Sequence, residues 1–223
     1  MLKTGRYRAL RNLPIGWVLQ AIHSTDRSET VFRAAVEVAL VAVAGYALVE
    51  AGAVATWPAA VLVAFVVTHT LLWCLTGNFW VYLLDSFGWV RNPGLDKVLA
   101  FVKFAHAALT RVDCCEAILI YGSFCRGQFH GRSDLDLRAL RRTDSPLGLL
   151  ALPIAFALRA RSFFIVLPLD LQAVDSVDFL RRQMRSDEKP IVVYARPGFA
   201  LSEAGRSFGE VERDPDSVLR CRA

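Results

Sequence analysis

Asp134 and Asp136 stand two positions apart near the end of the stretch 118–140, ILIYGSFCRGQFHGRSDLDLRAL. In an extended strand alternate side chains share a face, so the two acids point together while Leu135 and Leu137 point into a core. Two carboxylates on one face repel each other unless a cation lies between them. Magnesium, a hard ion that bridges carboxylates and phosphates, suits that place. Upstream, Gly122-Ser123 follows an apolar run at 117–121. A glycine there lets a phosphate approach the backbone, and the Ser123 hydroxyl adds a donor beside the N–H groups of the following turn. A third acid, Asp170, stands alone in the apolar run FFIVLPLDLQAV. Burying it without a partner would cost several kcal/mol, and a shared metal would neutralise it.

Each fragment alone has a plainer explanation. Gly-Ser after a strand is more often a turn, and Asp-Leu-Asp-Leu is more often the solvated face of an amphipathic strand. Their order and spacing say more. Gly-Ser, about ten residues, then Asp-hydrophobic-Asp resembles the nucleotidyltransferase superfamily that includes DNA polymerase beta, and GSFCRG with SDLDL looks most like its minimal members. LDLQAVDSVDFLRRQMRSDEKPIVVY is similar to that family's third-aspartate strand, the helix after it and the closing strand. The resemblance covers 114–195, roughly a third of the chain.

It implies an α/β (α+β) mixed sheet with flanking helices, and transfer of a nucleoside monophosphate, AMP being the one expected, from a nucleoside triphosphate. Asp134, Asp136 and Asp170 would hold two Mg2+ ions, and Gly122 and Ser123 the triphosphate. Arg126 is a secondary candidate for steering a phosphate, although the family position is mainly structural. Ser133 either supports the same site or caps the strand. Asp170 is the acid expected nearest the acceptor, and no separate general base is assigned. His130 and Arg132 are expected to be solvated, and Asp175 and Asp178 to be helix N-terminal charges.

Positioning these residues requires strands at 117–121, 133–140, 163–174 and 191–194, with helices at 146–159, kinked by Pro153, and from 175 or 176 to 185. The run 146–158 is unusually apolar for a covering helix and is expected to rest on the membrane or on the N-terminal helices. Before the sheet, Asn92-Pro93 reads as an N-cap and first-turn proline for a helix to about 111.

The 223 residues allow one domain plus an appendage, and hydrophobic residues make up 54% with a mean hydropathy of +0.37. That composition points to membrane segments. Spans are expected at 34–53 and 58–77, each near the ~20 residues that cross a hydrocarbon core. A buried hairpin in a soluble protein is the competing reading, and Glu37 favours it. His69 is read as a helix-packing residue. Lys3, Arg6, Arg8, Arg11, Arg27 and Arg33 precede the spans and Arg91, Lys97 and Lys103 follow, so both ends are expected in the cytoplasm. A cleaved leader is not expected. The charge of +5 lies largely beside the apolar region, which argues against nucleic acid as a partner. Five cysteines without a C-x-x-C pair indicate neither a disulfide framework nor a zinc site.

The chain therefore divides into a basic segment (1–33), a transmembrane hairpin (34–84), a linker helix (85–112), a nucleotidyltransferase domain (113–197) and a polar, partly disordered tail (198–223). The expected function is nucleotidyl transfer to an acceptor at the cytoplasmic face of the cell membrane: a lipid-linked glycan, a lipid or a protein. A second subunit, alike or different, or the membrane face would complete the acceptor site. The alternatives are an idle nucleotide-binding regulatory module and an antitoxin-like or protein-AMPylating enzyme.

Overall fold

The expected spans form two long helices, α1 (Arg27–Glu50) and α2 (Trp57–Thr76), joined by residues 51–56. Asp26 caps α1, its Oδ1 accepting from the Arg27 N–H at 2.6 Å, and Pro58 sits in the first turn of α2. Gly45 is buried against Val61 and Ala64, so small residues let the two backbones approach. The cost of Glu37 is met within the hairpin: His69 joins Glu37 Oε1 at 2.5 Å and the Trp17 carbonyl at 2.8 Å. Elsewhere the hairpin bares apolar side chains, among them Val38 (69% exposed) and Leu62 (63%).

The computed structural model describes residues 13–20, 25–87, 90–183, 185, 188–199 and 205–219. Lys3, Arg6, Arg8, Arg11 and Cys221 lie outside them. After α2, Asn78 adopts a left-handed conformation (φ 60°) and opens a short helix, α3 (Phe79–Ser86). Next comes α4 (Leu95–Thr110), which starts later than Asn92-Pro93 suggests. The Asn92 amide is used elsewhere, donating to the His130 carbonyl at 2.7 Å and to the Ser133 carbonyl at 3.0 Å, and Gly94 (φ 97°) opens the helix instead.

The remaining elements are β1 (Cys115–Tyr121), α5 (Gly122–Cys125), β2 (Leu135–Arg141), α6 (Ala151–Phe164), β3 (Leu169–Val174), α7 (Val177–Gln183), β4 (Ile191–Ala195) and α8 (Phe208–Arg213). A 3-10 turn, Pro146–Leu150, leads into α6. The sheet is mixed, in the order β3-β2-β1-β4, with β1 antiparallel to β2 and β4 and β2 parallel to β3. β1 reads as a continuous apolar run because both its faces are covered. Ile118 and Ile120 join the larger core with Val98, Val102, Ala155 and Leu158 from α4 and α6, while Ala117, Leu119 and Tyr121 pack with Leu180 of α7. The alternation then puts Leu135, Leu137, Leu169 and Leu171 on the α4–α6 face. Asp136, Arg138, Asp170 and Gln172 take the opposite one.

Three expectations shift. Residues 163–164 end α6 rather than begin a strand, because Phe163 is held by Trp80 and Val166 turns the chain at φ 54°. Pro153 falls in the first turn of α6, where its missing N–H is not needed, so no kink is required. The tail is not a polar end over residues 205–219: Ser207 forms a capping box with Glu210, and Phe208, Val211 and Val218 are buried in the main core.

Beside α1 and α2, the run Pro146–Phe164 is also long and apolar enough to cross a membrane. It packs against α2 and the sheet, as its apolar character leads one to expect. Its Arg159 is buried, donating to the Leu171 carbonyl and to Glu29 of α1. Glu29 also pairs with Arg33 at 2.9 Å and accepts from the Ala173 N–H at 2.8 Å. Since β3 is an edge strand, Arg159 and Glu29 satisfy backbone groups that have no neighbouring strand. The base of the hairpin is thereby fastened to the sheet.

Candidate active site

β1 ends at Tyr121 directly beside the start of β2, and Tyr121 pairs with Asp136 in the antiparallel register. Gly122 follows with φ 70°, and a Cβ there would overlap the Asp136 carboxylate. Both facts require glycine. In the parallel register of β2 and β3, Asp136 is opposite Asp170, so the two acids stand side by side on one face.

A cavity of about 310 Å3 opens over this end of the sheet, lined among others by Gly122, Ser123, Arg126, Asp134, Asp136 and Arg138. Gln183, Arg185 and Glu188 also line it. Four of the expected site residues on or beside the Gly-Ser turn and the Asp-Leu-Asp run thus meet around one space, together with Arg126. Ser123 Oγ is buried there and makes no hydrogen bond within the protein, an arrangement that calls for a ligand or water.

The electrostatics are lopsided. Burial first, and then the neighbouring Asp134 and Asp170 charges, push the Asp136 carboxyl up to about 8 against the lowering influence of Arg138. Asp170 goes the other way. Burial pushes its carboxyl up, but Arg138 and hydrogen bonds from Asn78, Arg138 and Gln172 outweigh it and hold it below the usual carboxylate range. Arg138 donates to Asp170 Oδ2 at 2.7 Å and stands 3.9 Å from Asp136, while Asn78 donates to Asp170 Oδ1 at 2.9 Å. Asp170 therefore lies beneath the cavity, linked to it through Arg138 and Asp136.

The donor set fits a divalent cation at Asp134 and Asp136, two carboxylates lining the same cavity. It does not fit one held by all three acids in this arrangement, since both Asp170 oxygens are already engaged. Among the described residues no three His, Cys, Asp or Glu side chains converge closely enough to hold a metal ion.

Arg126 lines the cavity but is paired with Glu188, so part of its charge is already committed. Ser133 is not among the lining residues. It is buried, its Oγ accepting from the His130 N–H at 3.1 Å and meeting His130 Nδ1 at 2.5 Å, which fixes the loop that delivers Asp134. The same loop is braced by the C-terminal segment, where the Phe129 N–H donates to the Val218 carbonyl at 2.8 Å. Asp175 is no mere helix charge: it pairs with Arg141 and accepts from Ser28 Oγ at 2.7 Å.

Sequence reasoning missed Arg138, Asn78 and Gln172. Strand alternation could have found Arg138, which shares a face with Asp134 and Asp136, and Gln172, which shares one with Asp170. Nothing local marks Asn78, 92 residues from its partner. Comparison of the chain with protein-family models, curated proteins and solved structures finds no match.

Proposed function

We propose that the chain is a membrane-anchored, Mg-dependent nucleotidyltransferase that moves a nucleoside monophosphate, AMP by the resemblance, from a triphosphate to an acceptor at the cytoplasmic membrane face. The observation that carries this reading is the convergence of Gly122, Ser123, Asp134 and Asp136 on one cavity, with Asp170 in register beside Asp136. Carboxylates and guanidinium groups around one cavity suit a cation with a polyphosphate better than they suit an uncharged ligand.

Asp134 and Asp136 would hold the cation. When bound, it neutralises triphosphate charge, stabilises the pyrophosphate leaving group and lowers the pKa of the acceptor hydroxyl. Gly122 leaves room for the Asp136 carboxylate against the backbone, which lets that acid reach the cavity, and the Ser123 hydroxyl, with no hydrogen bond within the protein, is placed to donate to a phosphate oxygen. Arg185, which also lines the cavity, adds positive charge for the polyphosphate. Arg138 keeps Asp170 ionised and fixed, leaving Asp136 to carry the exchangeable charge. Positioning and charge stabilisation then account for the chemistry. The bare apolar surface of the hairpin supports the anchor, with Trp57 near one end of α2 and Trp80 just beyond the other, where indoles favour the membrane interface.

One observation favours a second reading. A guanidinium already serves Asp170, as it would in an idle nucleotide-binding module. The deciding experiment incubates the full chain in detergent, and its Asp134→Asn/Asp136→Asn variant, with each α-labelled nucleoside triphosphate, Mg2+ and a membrane extract. Label transferred only by the intact acids is expected. Saturable binding with no transfer to any fraction would replace the enzyme with the regulatory module.

A further inference from the structure

The aromatic and apolar groups around the end of α6 are not used by the site as described. Phe164 is 75% exposed, and Ile165 and Val166 beside it are also exposed. Val166 holds a left-handed backbone (φ 54°), which a β-branched residue rarely adopts, so the turn is fixed in a strained form that keeps this apolar knuckle outward. Trp80 stacks on Phe163, ring centroids 5.6 Å apart, and donates its indole N–H to the Phe163 carbonyl at 2.9 Å. The knuckle is thus attached to α3, directly after the end of α2. At its other end the α6 run bares Leu147, Leu149 and Leu150, and Leu149 lines a groove with Arg27 and Val31 at the start of α1. Phe156 between them meets Phe32 of α1 edge-on at 6.1 Å.

α6 therefore runs across the base of the hairpin, from the start of α1 to the end of α2, with exposed apolar residues at both ends. It is not suited to crossing a bilayer itself, because that would carry the buried Arg159 and its Glu29 partner into hydrocarbon. An amphipathic element lying in the interfacial plane fits its bare ends and its attachment to the apolar hairpin. Asp170 is four residues beyond Val166 and one hydrogen bond from Asn78, two residues past the end of α2. Membrane insertion of the hairpin puts that acid at the depth of lipid head groups.

We infer that α6 and its terminal apolar knuckles rest in the same leaflet as the hairpin base, and that the acceptor is the hydroxyl-bearing head group of a membrane lipid. The acceptor half of this inference rests on the nucleotidyltransferase reading. In the reaction the lipid hydroxyl oxygen bonds to the α-phosphorus, the bond from that phosphorus to the bridging oxygen of pyrophosphate breaks, and the hydroxyl proton is released to solvent. The products are a nucleotidylated lipid and pyrophosphate.

The test uses the full chain in vesicles of total membrane lipid extract and in vesicles of phosphatidylcholine, whose head group has no hydroxyl. Both carry a trace of diazirine-tagged phosphatidylcholine. Photolabelling is expected at 163–166 as well as on the bare hairpin, and adducts confined to the hairpin would overturn the interfacial placement. With α-labelled triphosphate and Mg2+, label is expected in the lipid phase of the extract vesicles alone. Label in protein or water-soluble acceptors instead would overturn the lipid acceptor and leave nucleotidyl transfer standing. No label in any fraction would remove the nucleotidyltransferase reading itself, with photolabelling still deciding the surface. Phe164→Asp is expected to raise the KM for vesicle-borne acceptor roughly tenfold while leaving the KM for the triphosphate unchanged, and Phe164→Trp to restore it. Equal KM values in wild type and Phe164→Asp would contradict the placement.

Discussion

Two ionic clusters lie along β3, and they are balanced differently. Under the hairpin, Glu29 meets Arg33, Arg159 and the backbone of Ala173, so a buried carboxylate is surrounded by donors. At the cavity, Asp134, Asp136, Asp170 and Glu188 lie among Arg126, Arg138 and Arg185, yet burial and the neighbouring acids still push the Asp136 carboxyl up to about 8. The first cluster is complete as the chain folds. The second leaves Asp136 buried beside like charges, which costs stability and which a bound cation would relieve. The contrast separates ions that hold the fold together from ions kept for a ligand.

The largest effect is expected from breaking the cavity cluster. Asp136→Asn should lower transfer by about a thousandfold while raising the melting temperature of the cation-free protein, as activity assays and thermal denaturation would read. A loss of stability instead would mean that the Asp136 charge helps the fold. Breaking the other cluster should do the reverse. Glu29→Ala leaves Arg33 and Arg159 buried without their carboxylate and should cost about 3–5 kcal/mol in denaturant unfolding in detergent, with transfer lost only in proportion to unfolded protein.

Arg138→Met should cost about 2–4 kcal/mol, because Asp170 keeps only Asn78 and Gln172. Adding Asp170→Asn should recover part of that loss, a coupling readable in a double-mutant cycle. Asn78→Ala, which removes one hydrogen bond to the same acid, should cost about 1–2 kcal/mol.

A pH dependence probes the cavity cluster without any substitution. Because the folded Asp136 carboxyl titrates near 8, the folded chain keeps a proton that the unfolded chain releases from about pH 4 upward. Stability from this group is therefore lost progressively as pH rises to about 8 and is level above it. Asp136→Asn should flatten that slope in cation-free melts.

Much of the site was legible because strand alternation is local. Asp134 and Asp136 share a face by their spacing, Gly122 ends an apolar run, and a lone Asp170 in a buried strand needs a partner. The sequence reading supplied a metal as that partner, and the fold adds Arg138 from the neighbouring strand. Its side chain was as legible by alternation as Asp136 but drew no attention beside the acids. The second helix of the hairpin followed from a charge-free run, whereas the first begins at Arg27, seven residues before its expected start at 34; the loss of the 163–164 strand was not legible, since only the tertiary hold on Phe163 and the turn at Val166 end the helix there. Contacts across 92 and 130 residues, Asn78 to Asp170 and Glu29 to Arg159, leave no local signal. In the tail, Phe208, Val211 and Val218 are too few among charges to announce that residues 205–219 brace the site loop.

The central claim is that the two carboxylates Asp134 and Asp136 at the cavity form a cation site serving a nucleotide. It is tested most directly by thermal melts of the wild-type chain and Asp136→Asn, each titrated with Mg2+ in the presence of a nonhydrolysable nucleoside triphosphate analogue. The account predicts a saturable rise in melting temperature for wild type and little or none for Asp136→Asn. Equal rises in both proteins, or none in either, would contradict it.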